Sequence, residues 1–456
     1  MVILPGMNKV TNRKKLVTFL FGALFCLQFL PAQEPGVDGT GNGAFSIRSE
    51  IYQIKGRTRE GALKALLGPA DGASFPDAES LEGFARDRER KLEKLRLFKS
   101  SSVTVEWEDE RTANLVVSVT DGAAVVPIPY AFYNSNDGLQ AGTIVNVPNL
   151  AGTLQNLFLM GLYTAPPDEN DALQWTKPNF LFISSLSGVN AGPVTLQFAG
   201  TAMRMNRNVE YRGVTGVVTK VTALSGSVGV TRAITDSLSD TVSVRVAGSP
   251  ASELVSVDDP ELLAYGPIDL SVTVKNEATI DSYDWIGNFR DGWKLTAAAG
   301  WERSYPRYEG VQDSVTAEAE AAAYRAAGIF NPGLSVYGFA KWGNPELNLG
   351  IRTRGVRNGE LSGNYGLFAR SGMPIRIARF SSTEINAAPA LDLFWLRERD
   401  NEQNYVGAAV GGELLFLIDS IKSLPIKLGF SWDCRPESQV IGGKRLEVDF
   451  NFSLSY

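Results

Sequence analysis

The chain has no histidine in its 456 residues and only two cysteines, Cys26 and Cys434. Without histidine there is no Ser-His-Asp or Cys-His relay, and the ordinary zinc ligand set is missing. Carboxylate-only chemistry or a calcium site stays open. The expectation is a protein that is not an enzyme and needs no cofactor or metal. Beyond the N-terminus no apolar run approaches the roughly 20 residues of a spanning helix, so a helical membrane protein is excluded. A net charge of −6 argues against nucleic acid as the main partner.

What is present begins with an export signal. Lys9, Arg13, Lys14 and Lys15 precede an apolar run, Leu16 to Leu30, and then Pro31-Ala32-Gln33. That order reads as a secretory signal over residues 1–32, cut after Ala32, with Met1 or Met7 as the start. Cys26 invites a lipoprotein reading, but Phe25 is too bulky for the small residue usual before such a cysteine. Residues 33–43 read as a flexible linker. Cleavage leaves Cys434 alone, so no internal disulfide is expected.

Residues 44–122 change period several times. A strand over 46–55 is followed by helices over 59–67 and 78–98, the second ending on Leu95-Arg96-Leu97-Phe98. Leu81, Phe84, Leu92, Leu95 and Leu97 are the candidates for its buried face. Strands over 102–107 and 113–119 follow, joined by a turn at Asp109-Glu110. The reading is a small α+β domain.

From 124 to 456 the pattern is strand after strand. The last stretch, LEVDFNFSLSY, alternates Leu446, Val448, Phe450, Phe452, Leu454 and Tyr456 with polar residues, giving one greasy and one wet face. Such a strand suits either a soluble sandwich or a barrel whose greasy side meets lipid. Sixteen candidate strands can be marked: 124–133, 138–147, 151–163, 174–186, 191–204, 215–232, 237–247, 266–277, 290–302, 314–326, 333–343, 364–375, 386–396, 404–417, 424–432 and 445–456. Ala317–Ala327 has helical propensity but also alternates at period two, and is read as strand. The even count and the strand lengths predict an all-β transmembrane barrel of about 16 antiparallel strands behind the α+β domain. Pro127 and Pro129 fit either the first barrel strand or the linker before it. Arg204, Arg207 and Arg212 carry no assigned role.

Several of these stretches resemble the BamA/TamA superfamily (the bacterial surface antigen family), which includes the two-partner secretion transporters. Residues 44–122, with Gly56 after the first strand, resemble one POTRA domain. Thr353-Arg354-Gly355-Val356 resembles the family's Val-Arg-Gly-Phe/Tyr loop signature, departing at its first and last positions. Gly359, Glu360, Leu361, Gly363 and Asn364 match the pattern downstream. Tyr133 to Leu139, with Asn149 and Gly152, resembles the first barrel hairpin and the turn after the second strand. Ala388-Pro389-Ala390-Leu391-Asp392 resembles the thirteenth strand, with Phe394 where a glycine is usual.

The resemblance implies a loop folded into the lumen, with Arg354 latched to Asp392 and Gly355 allowing a close turn. Pro127 and Pro129, two residues apart, would weaken the seam between first and last strands if they lie in the first and their missing N–H groups face the terminal strand with Phe450, Phe452 and Tyr456. The expected function is an assembly and insertion factor in the bacterial outer membrane, its N-terminal domain in the periplasm. Its expected partners are unfolded outer-membrane or secreted polypeptide, outer-membrane lipid and accessory lipoproteins. A polypeptide translocation pore of two-partner-secretion type is the alternative, and a passive porin or structural surface protein belongs to a different class.

Overall fold

The computed structural model describes residues 45–452 apart from 96, 123, 135–137, 166–178, 212–213, 236, 357–358, 382, 399–402, 419–425, 437–439 and 441–444. The signal-peptide and linker readings therefore lie outside the described residues, as do Arg212, Leu454 and Tyr456.

The N-terminal module contains β1 (Phe45–Lys55), α1 (Glu60–Leu67), β2 (Ser74–Phe75), α2 (Ala78–Lys94), β3 (Phe98–Trp107) and β4 (Thr112–Asp121). The sheet order is β2-β1-β4-β3, with β1 parallel to β4 and β3 antiparallel to it. Asp77 caps α2 by accepting from the Ser80 N–H. Its bonds with the Ser80 hydroxyl and N–H hold its carboxyl below the usual range. Leu81 and Leu92 are buried and Phe84 packs on the same core, with Leu63, Leu67, Leu115 and Val117. The helix is shorter than the periodicity implies. It ends at Lys94, and Leu97 instead accepts from the Gly122 N–H at the sheet edge, leaving Leu95 and Leu97 half-buried. A buried ion pair, Arg88 with Glu50, ties α2 to β1; nothing in the local pattern marks it.

The remaining strands form a closed barrel. In chain order they start with β5 (Val126–Asn134), β6 (Gly138–Val147), β7 (Asn156–Ala165), β8 (Asn179–Ala191), β9 (Val194–Tyr211) and β10 (Val214–Ala233). Next come β11 (Leu238–Val257), β12 (Ile268–Asp281), β13 (Asp284–Ile286), β14 (Phe289–Pro306), β15 (Gln312–Tyr324) and β16 (Gly333–Trp342). The last are β17 (Tyr365–Gly372), β18 (Ile375–Arg379), β19 (Thr383–Arg397), β20 (Asn404–Ile418), β21 (Ile426–Asp433) and β22 (Leu446–Phe452). β13 is a short ribbon on β14, while β17 and β18 both pair with β19 as one interrupted stave. The described wall thus has sixteen staves, and the fold class is a β-barrel preceded by a small α+β domain.

Several boundaries depart from the sequence reading; β11, for example, runs to Val257 where 247 was expected. The single strand expected over 364–375 breaks at Met373-Pro374 and resumes at Ile375, because proline supplies no N–H to the ladder. The strand expected from 151 starts at Asn156. Residues 150–152 form a tight 3-10 turn in which Ala151 has φ of 52°, and Leu154 has φ of 60°. This turn meets the module: the Asn149 amide donates to the Thr58 hydroxyl at 2.6 Å, and the Arg59 N–H donates to the Gly152 carbonyl at 2.9 Å. Lys94 on α2 also lies 3.4 Å from Asp284 on β13. These contacts identify the module-side end of the barrel.

The wall alternates. On β19 the side chains of Glu384, Asn386, Asp392, Phe394 and Leu396 are buried inward, while Leu391, Leu393 and Trp395 are exposed outward. Across β9–β12 the inward set is small and polar, including Thr201, Ser225, Ser243 and Ser271. Outward are Val228, Val230, Val244 and Leu270. An apolar exterior with a polar interior is what a lipid-facing barrel requires. Leu393→Arg should therefore lower folding stability in lipid by about 2–4 kcal/mol, whereas Ser243→Arg should cost little; denaturant titration in vesicles distinguishes the two.

Candidate functional site

The long connection from β16 to β17 folds into the barrel. Leu349–Arg352 makes a 3-10 turn, Thr353 is extended, and Gly355 turns the chain at φ of 75°. A side chain at Gly355 would press on the backbone of Ser431, Trp432 and Asp433 at 3.2–3.3 Å. Position 355 thus needs glycine both for its left-handed backbone and for its closeness to β21. The Gly355 N–H donates to Glu447 Oε2 on β22 at 2.7 Å. Glu447 points inward between exposed Leu446 and Val448, so the wet face of the terminal strand is the lumenal one.

Arg354 lies between these anchors. Its backbone N–H donates to Asp392 Oδ2 at 2.9 Å, its Nε to the same oxygen at 3.0 Å, and its Nη2 to Oδ1 at 2.5 Å. The remaining donors reach the Ser371 carbonyl at 2.8 Å and Glu413 Oε1 at 3.4 Å. Asp392 is 1% exposed. A carboxylate that deep in the wall is costly unless paired, and a planar guanidinium can satisfy both of its oxygens at once.

The downstream motif forms the rest of the tether. Gly359 takes φ of 84°. Glu360 meets Arg435, which also lies 2.6 Å from Asp433; all three are buried. Leu361 packs with Leu349 and Val356 against Phe339, Phe368, Phe394 and Leu396 of the wall. Burying such side chains contributes about 1.5–3 kcal/mol each. Val356 therefore supplies tip packing in place of an aromatic. The Ser362 hydroxyl donates to Glu398. Gly363 exchanges bonds with Glu346, and Asn364 binds the Lys341 and Gly343 carbonyls.

Sequence reasoning paired Arg354 with Asp392 but missed Glu413, Arg435, Asp433, Glu398 and Glu447. Each is a charged residue at an inward or loop position, and only the ring closure brings them to the loop. Phe394, where the resembled pattern has glycine, stacks on Phe368 at 6.3 Å. Its register partner is Gly407, where any side chain would collide with the Phe394 ring. The large ring is thus accommodated by the missing side chain opposite it.

At the seam, Pro127 and Pro129 both lie in β5, with exposed side chains, so the strand placement holds and the linker placement does not. Among the described residues β5 meets β22 through two register pairs, Asp449 with Asn134 and Phe450 with Tyr133. On either side, β5–β6 has nine and β21–β22 has seven. Phe452 is paired with Ile426 of β21. Arg204 and Arg207 lie on β9, Arg204 exposed and Arg207 lining the lumen.

No family model matches the chain, and no curated protein matches it. Three solved structures share its architecture. CdiB from Acinetobacter baumannii has a TM-score of 0.59 at 14% identity, covering 91% of this chain and 74% of that one. CdiB from Escherichia coli gives 0.56 at 11%, covering 99% of each. BamA from Haemophilus ducreyi, in a form lacking POTRA domains 1-3, gives 0.52 at 10%, covering 90% and 85%. The chain has the barrel fold of CdiB and BamA.

Arg354→Ala would strand Asp392, typically a loss of about 3–5 kcal/mol. The lower end is expected because Arg370 stands 3.7 Å from the same carboxylate. Arg354→Lys should fail to restore stability, since it lacks the two-pronged geometry; both are read by chemical unfolding. Gly407→Ala should cost about 1–3 kcal/mol by overpacking. Combined with Phe394→Ala its cost should shrink, which a double-mutant cycle measures.

Proposed function

We propose that the chain is an outer-membrane barrel that assists insertion of other polypeptides, with its module acting as a periplasmic POTRA-like receiver. The observation that carries this reading is the place of Pro127 and Pro129 on β5, the strand that closes the barrel against β22. A proline is tolerated in a sheet where its missing N–H faces an unneeded ladder position. The β5–β6 register runs unbroken across Pro127 and Pro129, so the donor-poor side of β5 is taken to be the side facing β22. A strand edge that lacks donors binds its neighbour less firmly, and an incoming hairpin can compete for it.

The module suits the first step. β3 is the outer strand of its sheet, and an extended chain can add to such an edge through main-chain bonds, largely without regard to sequence. The apolar outer band fits lipid contact, and the fold shared with CdiB and BamA supports outer-membrane placement. The reading involves no bond chemistry. Accessory lipoproteins remain part of it as possible companions. The second reading, translocation through the lumen, draws support from the polar and charged side chains that line the interior.

A staple separates the two. In a Cys434→Ser background, Tyr133→Cys and Phe450→Cys place thiols on register partners across the seam. Oxidation should slow insertion of an unfolded barrel client into liposomes to the lipid-only rate, and reduction should restore it. Insertion at full speed with the seam closed would sink the seam reading and favour the lumenal route.

A further inference from the structure

On the module side of the latch the lumen holds a cavity of about 500 Å³ whose charges do not balance. Its lining includes Arg290, Arg352, Arg354, Arg370 and Lys427 against Glu320 and Glu413. Arg354 and Lys427 share Glu413, each at 3.4 Å, and Arg354 is also spent on Asp392. Among the described residues Arg370 reaches only that already paired carboxylate, at 3.7 Å.

Arg290 and Arg352 form no ion pair among the described residues and are held by rings instead. The Arg290 guanidinium lies 5.3, 5.0 and 5.1 Å from the ring centres of Tyr283, Trp285 and Tyr324. Arg352 lies 4.1 Å over Tyr337. Stacking fixes a guanidinium in place without neutralising it; one N–H of each also donates to a tyrosine hydroxyl, Arg290 to Tyr324 at 3.2 Å and Arg352 to Tyr337 at 3.4 Å, and the other in-plane donors are left for an anion. A carboxylate partner from the wall would have cancelled the charge; the aromatic partners preserve it.

The placement matters as much as the charge. Arg290, Asn331 and Pro374 mark the cavity's module-side rim, next to the turns between β13 and β14, β15 and β16, and β17 and β18. Trp285, stacked on Arg290, belongs to the ribbon whose Asp284 meets Lys94 of α2. The module is thus seated beside the mouth of the cavity, while the latch residue Arg354 lines it farther in.

We propose that this cavity binds a carboxylate-rich stretch of polypeptide, with Arg290, Arg352 and Arg370 as the recognising cations. These cations come from three separate elements and are spread along the cavity, which suits a ligand with several carboxylates better than a single small anion. That the ligand is a polypeptide rests on the polypeptide-handling reading above; the anion site itself does not.

The test uses the full chain in planar bilayers, with peptide added on the module side. A short Asp/Glu-rich peptide should block conductance and a Lys-rich peptide of equal length should not. In the triple variant Arg290→Gln, Arg352→Gln, Arg370→Gln the concentration for half-block should rise by about tenfold or more, as expected for losing several charge-assisted bonds. The single variant Arg370→Gln, altering an exposed side chain, should give a smaller shift in the same direction and covers the case in which the triple variant does not fold. Equal block by both peptides, or unchanged block in the variants, overturns the site. Block by inorganic phosphate or anionic lipid as potent as by the acidic peptide overturns the polypeptide assignment. Failure of client insertion with peptide block intact would count against the insertion reading and leave this site standing.

Discussion

The pairing of Arg354 with Asp392 is the constraint on which the rest of the site depends. Asp392 is buried in the wall of β19, and a carboxylate there needs a full set of donors to be tolerated. Those donors come from a loop far away in the chain, so the loop must enter the lumen. Once it does, Arg354 also reaches Glu413 on β20 and Gly355 reaches Glu447 on β22. The loop thereby braces the closing staves of the barrel from inside. At the closure itself β5 carries Pro127 and Pro129, which supply no N–H to a ladder.

The same loop divides the interior. Its apolar residues Leu349, Val356 and Leu361 bury against the aromatic cluster of the wall, and its cations Arg352 and Arg354 line the cavity toward the module. One element is therefore both plug and lining. The turn Leu150–Gly152 performs a related duty at the other end, giving up regular strand geometry at Ala151 and Leu154 to meet Thr58 and Arg59 of the module. Residues in unfavoured backbone conformations persist where surrounding contacts over-determine them, and here the surrounding contacts are the joint.

Much of the architecture is legible in the chain because a strand's period of two is local. Leu446 to Phe452 declares its two faces without help from any neighbour, and Gln312–Tyr324 shows the same alternation despite its alanines. Arg354 and Asp392 are legible only through family resemblance, since nothing in either segment alone names the other. What stays hidden depends on register or closure. The fit of Phe394 against Gly407 requires knowing that they face each other across β19 and β20. Arg435 is unremarkable in sequence until the barrel closes and sets it between Asp433 and Glu360. The end of α2 at Lys94 is set by the sheet edge claiming Leu97 rather than by any helix-stopping residue.

The most direct measurement is a reconstitution of the whole chain in liposomes. An unfolded barrel client is added and its folding followed by protease protection, beside a form lacking the module. Faster protection with the full chain, lost without the module, is the result this account predicts. An unchanged rate together with steady ion conductance would contradict it and leave a passive pore.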